Sequence, residues 1–125
     1  MGKVTNHRRW LVIGLVVGSL LSCDSNTGYR GYLTEGFEWS YFVECDSQEK
    51  WWLKNTPTMM DLRKKLSNKG VKFVYDMSQT NPTVYVSVTG QLSEKGQWGH
   101  LGQYPRQLAI NKYQAYSMDK QDICG

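Results

Sequence analysis

The chain has 125 residues and a mass of 14.4 kDa, with 40% hydrophobic and 13% aromatic residues, enough apolar surface for one folded domain and too little chain for two. Its formal charge of +4 misleads, because 15 Lys and Arg less the three at Lys3, Arg8 and Arg9 leave 12 against 11 acidic residues. Nucleic-acid binding needs a clustered basic excess and is excluded on that balance; the run Arg63-Lys64-Lys65 reads as a solvated helix face.

The first residues read as an export signal. A basic start precedes an apolar stretch over residues 10–21, which as a helix would rise only about 18 Å against the ~30 Å of a bilayer's hydrocarbon core. Residues 1–22 are therefore expected to be a signal peptide, not a stable span. Arg8-Arg9 is ordinary signal-peptide charge, since its neighbours do not match the twin-arginine export motif. Leu20-Leu21-Ser22-Cys23 resembles the lipobox of bacterial lipoproteins: an aliphatic residue, a small one just before the cysteine, then the cysteine. That resemblance implies that the Cys23 thiol receives a diacylglycerol, that the bond before it is cut, and that the new α-amino group is acylated. Several acyl chains, each stabilising insertion by about 0.8 kcal/mol per buried methylene, would hold the protein on a membrane. Asp24 resembles the residue that retains lipoproteins at the inner membrane of some Gram-negative bacteria. It implies a lipid-anchored place on the exported, periplasmic side of that membrane, with the periplasmic face of the outer membrane as the alternative.

Residues 23–28 are expected to form the lipidated cysteine and a short polar tether, with the folded domain over 29–125. Export leaves Cys45 and Cys124 in an oxidising compartment, where pairing them is the economical reading; closing so long a loop stabilises by roughly 4.5 kcal/mol in the chain-entropy picture. Two cysteines so far apart, with His100 the only histidine beyond the export segment, lack the paired spacing of a zinc site.

Within the domain, period-two patterning dominates. Residues 29–34 and 37–45 read as strand, with Trp39, Tyr41, Val43 and Cys45 on one face and Glu38, Ser40 and Glu44 on the other, interrupted only by Phe42. Trp51 and Leu53 continue the theme over 50–54. Thr56-Pro57 offers a helix start, with Thr58 and Asp61 as an alternative capping pair. Met59, Leu62 and Leu66 then share one helical face while Arg63, Lys64 and Lys65 stay wet, and Gly70 supplies the stop. Val71, Phe73 and Tyr75 alternate again. A polar loop through Asn81-Pro82 leads to Val84, Val86, Val88 and Leu92, a core strand. Leu108, Ile110, Tyr113 and Ala115 form a strand or hairpin ending near Met118.

About five strands and one helix predict a mainly β fold, a small OB-like barrel that closes its own edges. If 29–34 and 37–45 are two arms, the helix falls between the third and fourth strands, as in an OB-fold.

Residues 96–104 have the most unusual local composition, three glycines at a spacing of three with Trp98, His100 and Tyr104 between them. Rigid aromatic side chains on a glycine-rich loop suit recognition, so these three are the candidate partner-binding residues. The alternative is a structural connection at the barrel rim with Trp98 packed inward. The glycine spacing matches neither a dinucleotide nor a phosphate-binding fingerprint. Met59, Met60, Met77 and Met118 with His100 could suggest a cuprous site, but methionine at such spacings is core filler; no metal or other cofactor is called for. His100 with Asp76, Asp119 or Asp122 finds no nucleophile, since Ser87 and Ser93 sit in no recognisable elbow, and no catalytic residue is assigned. The four tryptophans Trp39, Trp51, Trp52 and Trp98 and eight tyrosines exceed what a core of this size needs.

The run Glu38-Trp-Ser-Tyr-Phe-Val-Glu-Cys45, then Trp52-Leu53, then Val84-Tyr-Val-Ser-Val-Thr-Gly90, then Gly99-His-Leu-Gly102 resembles small bacterial lipoproteins with OB-like domains. The C-terminal domain of NlpE-type envelope-stress lipoproteins is the better-known relative. The resemblance spans residues 29–118 and implies a non-enzymatic module of the cell envelope. The Cys-x-x-Cys motif of that relative's other domain has no counterpart here, so no copper or surface-sensing role is carried over. The expected function is a membrane-anchored binding module for another envelope protein, with a stress or metal-responsive sensor as the alternative and a cell-wall enzyme after it.

Overall fold

The computed structural model describes Gly2, residues 26–75 and residues 81–125; the signal peptide, Cys23, Asp24, Asp76 and Met77 lie outside the described residues. Thr27–Gly36 form β1 and Trp39–Glu44 form β2, an antiparallel hairpin joined by Phe37-Glu38. β3 (Lys50–Leu53) runs back along β2, with Tyr41 opposite Trp52 and Phe42 opposite Trp51. α1 (Pro57–Asn68), β4 (Val84–Leu92) and β5 (Gln107–Ser117) follow. β5 pairs antiparallel with β4 and parallel with β3, and β4 pairs antiparallel with β1, so the pairings return to their start in the order β1-β2-β3-β5-β4. The fold is mainly β: a five-stranded mixed sheet with one helix between its third and fourth strands. Among the described residues no helix is long and apolar enough to cross a membrane.

Thr27 and Gly28, expected in the tether, are instead the first paired residues of β1, opposite Gly90 and Thr89. Small polar residues carry no hydrophobic signal, and ladder pairing needs none.

The start of α1 follows its capping chemistry. The Thr56 hydroxyl accepts from the Met59 N–H at 3.2 Å, and Pro57 occupies the first turn, where a missing N–H costs nothing. The same hydroxyl donates to the Ile110 carbonyl (2.8 Å), and that of Thr58, the alternative cap, to the Asn111 carbonyl (2.7 Å). Both threonines thus fasten the helix to β5. Met59, Leu62 and Leu66 are buried, and Gly70 follows at φ 85°.

Residues 71–75 alternate like a strand but join no sheet. The Val71 N–H turns back to the Leu66 carbonyl at 2.9 Å, and the Asn81 carboxamide brackets Val74, accepting from its N–H (2.7 Å) and donating to its carbonyl (2.9 Å). Val71 and Phe73 still pack on the core, which explains the apolar alternation without a ladder.

The interior is built by Leu33, Phe42, Trp51, Leu53, the three helical residues, the three valines of β4, and Leu108 and Ile110 of β5. Phe42, which broke the sequence pattern of β2, is the fully buried residue of that strand, stacked on Trp51 with ring centroids 5.6 Å apart. On the other face Trp39 and Tyr41 are half-buried and stand outside the core, while Val43 is buried at 3% exposure. Both faces of β2 are apolar, so period two located the strand without giving its phase.

Arg63 also departs from expectation. It was expected wet, but its guanidinium binds Glu35, a carboxylate only 1% exposed: Nε to Oε2 2.8 Å and Nη2 to Oε1 2.6 Å. Ser40 donates to the same Oε1 at 2.7 Å, and Arg63 Nη1 reaches the Asn55 side-chain oxygen at 2.7 Å. The Glu35 hydrogen bonds hold the Arg63 pKa above its ordinary value.

Cys45 and Cys124 are disulfide-bonded, with Cα atoms 5.5 Å apart across a separation of 79 residues. The bridge ties the last turn to the end of β2, where the Ile123 side chain is buried.

Candidate binding face

Successive residues of a strand point to opposite faces. With Phe42 inside, Trp39 and Tyr41 stand outside, and with Trp51 inside, Trp52 stands outside directly opposite Tyr41. The β4–β5 connection folds over this face and adds Tyr104. The ring centroids run Trp39 to Tyr41 5.4 Å, Tyr41 to Tyr104 6.3 Å and Tyr104 to Trp52 5.3 Å, one continuous aromatic row. Burial raises the phenol pKa values of Tyr41 and Tyr104.

Two glycines fix the indoles. The Trp39 ring lies across Gly36, where a Cβ would occupy the ring's space, and Gly99 lies on the Trp52 ring in the same way. Gly99 also has φ 71°, so its position requires glycine on both counts. The rings of the row are tilted to one another by 31°, 33° and 57°, and the two indoles are fixed by these glycines.

The rim is strained and apolar. Glu38 in the β1–β2 turn has φ 58° and Leu101 in the β4–β5 loop has φ 56°, a left-handed conformation that costs a residue with a side chain about 1 kcal/mol or more. Leu101 is 77% exposed and Phe37 45%. The two loops meet where His100 Nε2 lies 3.5 Å from Glu38 Oε2. Two open clefts flank the Trp39 ring: one of about 580 Å³ between Phe37, Trp39, Tyr41 and Tyr104, and one of about 410 Å³ between Trp39, Trp52, Tyr75 and the Glu35–Arg63 pair. Glu38 and His100 line both.

The three residues singled out from sequence do not act alike. Tyr104 joins the row and His100 the rim. Trp98 instead closes the loop on itself, exchanging both backbone hydrogen bonds with Tyr104 (2.9 and 3.1 Å) and donating from its indole to the Glu94 carbonyl at 3.0 Å. Sequence reasoning missed the strand contribution of Trp39, Tyr41 and Trp52 and the rim residues Phe37, Glu38 and Leu101. One signal was available: the adjacent pair Trp51-Trp52 in a strand must place one indole outside.

The other chemistry weighed from sequence is dispersed. Met59 is buried in the core and Met60 is exposed on α1. Asp119 accepts from the Gln121 N–H and Asp122 from the Ser117 hydroxyl, both in the last turn, while Ser93 donates to the Glu94 carbonyl. Among the described residues no group of three or more His, Cys, Asp and Glu is placed to hold a metal ion. Comparisons with protein-family models, with curated proteins and with solved structures return no match to this chain.

Proposed function

We propose that the protein is a bacterial lipoprotein, anchored through Cys23 on the exported side of a membrane, whose OB-like barrel is a non-enzymatic binding module for another envelope protein. The observation that carries the binding role is the continuous aromatic row Trp39–Tyr41–Tyr104–Trp52 on the outer face of β2 and β3. Such barrels take ligands on the face of strands 2 and 3 and on the 1–2 and 4–5 connections. Here those elements supply the row, the Phe37-Glu38 turn and residues 98–104. The strand order, with the helix between β3 and β4, supports the barrel reading.

A polypeptide partner is favoured by the rim. Protein interfaces concentrate tryptophan, tyrosine and apolar anchors in a patch that excludes water, and Phe37 and Leu101 extend this aromatic patch outward. The lipid anchor rests on the export segment and on Leu20-Leu21-Ser22-Cys23. The test is photocrosslinking in living cells from positions 37 and 101 of the acylated chain, with the exposed helix position 64 as control. A discrete protein adduct from 37 and 101, missing from 64, is expected. Adducts of equal pattern from all three positions, or none from any, would sink the proposal.

A further inference from the structure

The charge of this face selects the side chain it receives. Of the ionisable groups lining the two clefts, Glu35 and Arg63 neutralise each other through charge-assisted hydrogen bonds, and burial raises the phenol pKa values of Tyr41, Tyr75 and Tyr104. What remains is the Glu38 carboxylate, whose side chain is 57% exposed, with aromatic rings in both clefts beside it. Among the described residues, no lysine or arginine other than the paired Arg63 lines the clefts, and the cation of this face, Lys50, sits over the Tyr41 ring. A cationic ligand would find a carboxylate and the negative faces of several rings, the combination that attracts guanidinium and ammonium groups.

The face already holds one cation of its own. Lys50 Nζ lies 4.3 Å from the centroid of the Tyr41 ring, so an outer ring of this row accepts a positive charge within the chain itself.

We propose that Glu38 and the flanking ring of Trp39, with the ring of Tyr41 once Lys50 gives way, form a receptor for an arginine side chain presented by the protein partner. The planar guanidinium stacks on the flat rings while its N–H fork pairs with the carboxylate, which an ammonium cannot do at once. His100, 3.5 Å from Glu38 and lining the same clefts, links the β4–β5 loop to the site. This inference rests on the protein-binding reading above and names the chemistry of the contact.

The test uses the full chain, labelled at tryptophan indole nitrogens and purified in detergent, titrated with N-acetyl-arginine methylamide. The indole N–H resonances of Trp39 and Trp52 should shift saturably. N-acetyl-citrulline methylamide, isosteric and neutral, should leave them in place, and Glu38→Gln should weaken the arginine response about tenfold, as the loss of a charge-assisted pair does, with thermal unfolding unchanged. A response to citrulline equal to that of arginine, tighter binding of the lysine analogue, or indifference to Glu38→Gln would each overturn the arginine receptor. Retention of the cellular adduct from position 101 in Glu38→Gln would overturn it while leaving the binding module standing. Saturation by N-acetylglucosamine without any response to arginine would overturn both.

Discussion

Arg63 occupies a position on α1 that its neighbours use for the core: Met59, Leu62, Arg63 and Leu66 follow the i, i+3, i+4, i+7 stripe. Glu35 likewise keeps the phase of Leu33, the inward residue two places before it on β1. Two charges on two inward stripes therefore meet at the end of the hairpin, with Ser40 completing the carboxylate's partners. Their burial is unequal, and the costs of breaking the pair should follow that inequality. Arg63→Met leaves a fully buried carboxylate without its counter-charge and should destabilise by about 3–5 kcal/mol. Glu35→Gln keeps an oxygen for Arg63 and leaves a guanidinium 26% exposed that can reach water, and should cost about half as much. Urea unfolding of the two variants checks this; equal losses, or a loss under about 1 kcal/mol for Arg63→Met, would show the pair to be dispensable.

The β4–β5 loop is the element on which the binding face depends most. Gly99 sits against the Trp52 indole at φ 71°, so Gly99→Ala introduces both a backbone strain and a collision with the ring. It should cost about 1–3 kcal/mol in stability and displace the loop, abolishing the photoadduct from position 101 while that from position 37 on the β1–β2 turn persists. Loss of both adducts would mean that the two loops are one unit, and loss of neither that Trp52 yields. The legibility of each element followed from how one-sided its surroundings are. β4 reads cleanly because Val84, Val86 and Val88 alternate against polar or half-exposed neighbours, and α1 because its cap and apolar stripe agree. The loop's composition singled out Trp98, His100 and Tyr104 as candidate contact residues; Tyr104 joins the aromatic row and His100 its rim, whereas nothing in the composition marked Trp98's part in closing the loop. β2 was legible as a strand but not in phase, because Phe42 and Tyr41 are both aromatic and hydrophobicity does not distinguish a core ring from a platform ring. Without that phase the platform itself could not be read. The Glu35–Arg63 pair lay beyond reach for a different reason: it joins elements 28 positions apart, and nothing local to either residue names the other.

Across the molecule, β1 sets a direction. Its first residues pair with β4 next to the expected lipid anchor, and its last, Gly36, lies under the Trp39 ring. Ten residues of strand at about 3.3 Å each carry the chain up to ~30 Å between those ends, less where the sheet coils, so the aromatic face lies at the opposite end of β1 from Thr27. The disulfide lies nearer the first residues of β1: Cys45 follows β2 where that strand pairs with Gly31, and its N–H donates to the Arg30 carbonyl at 2.9 Å. Arg30 in turn reaches the Ile123 carbonyl at 3.5 Å, so the bridge, Arg30 and buried Ile123 together pin the last residues to the sheet. Among the described residues, none of the hydrogen bonds, ion pairs or ring contacts given above joins the aromatic row to that cluster. Stability and binding should therefore separate on reduction. Closing a loop of this length stabilises by roughly 4.5 kcal/mol at most in the chain-entropy picture, and reduction, or Cys45→Ser with Cys124→Ser, should lower unfolding stability by about 2–4 kcal/mol. Below the lowered melting temperature the photoadducts from positions 37 and 101 should remain, because the rings are positioned by Gly36, Gly99 and the β2–β3 ladder. Loss of the adducts in a reduced chain that is still folded by circular dichroism would mean that the last residues reach the binding face through the sheet, and the two ends of β1 would have to be treated as one site.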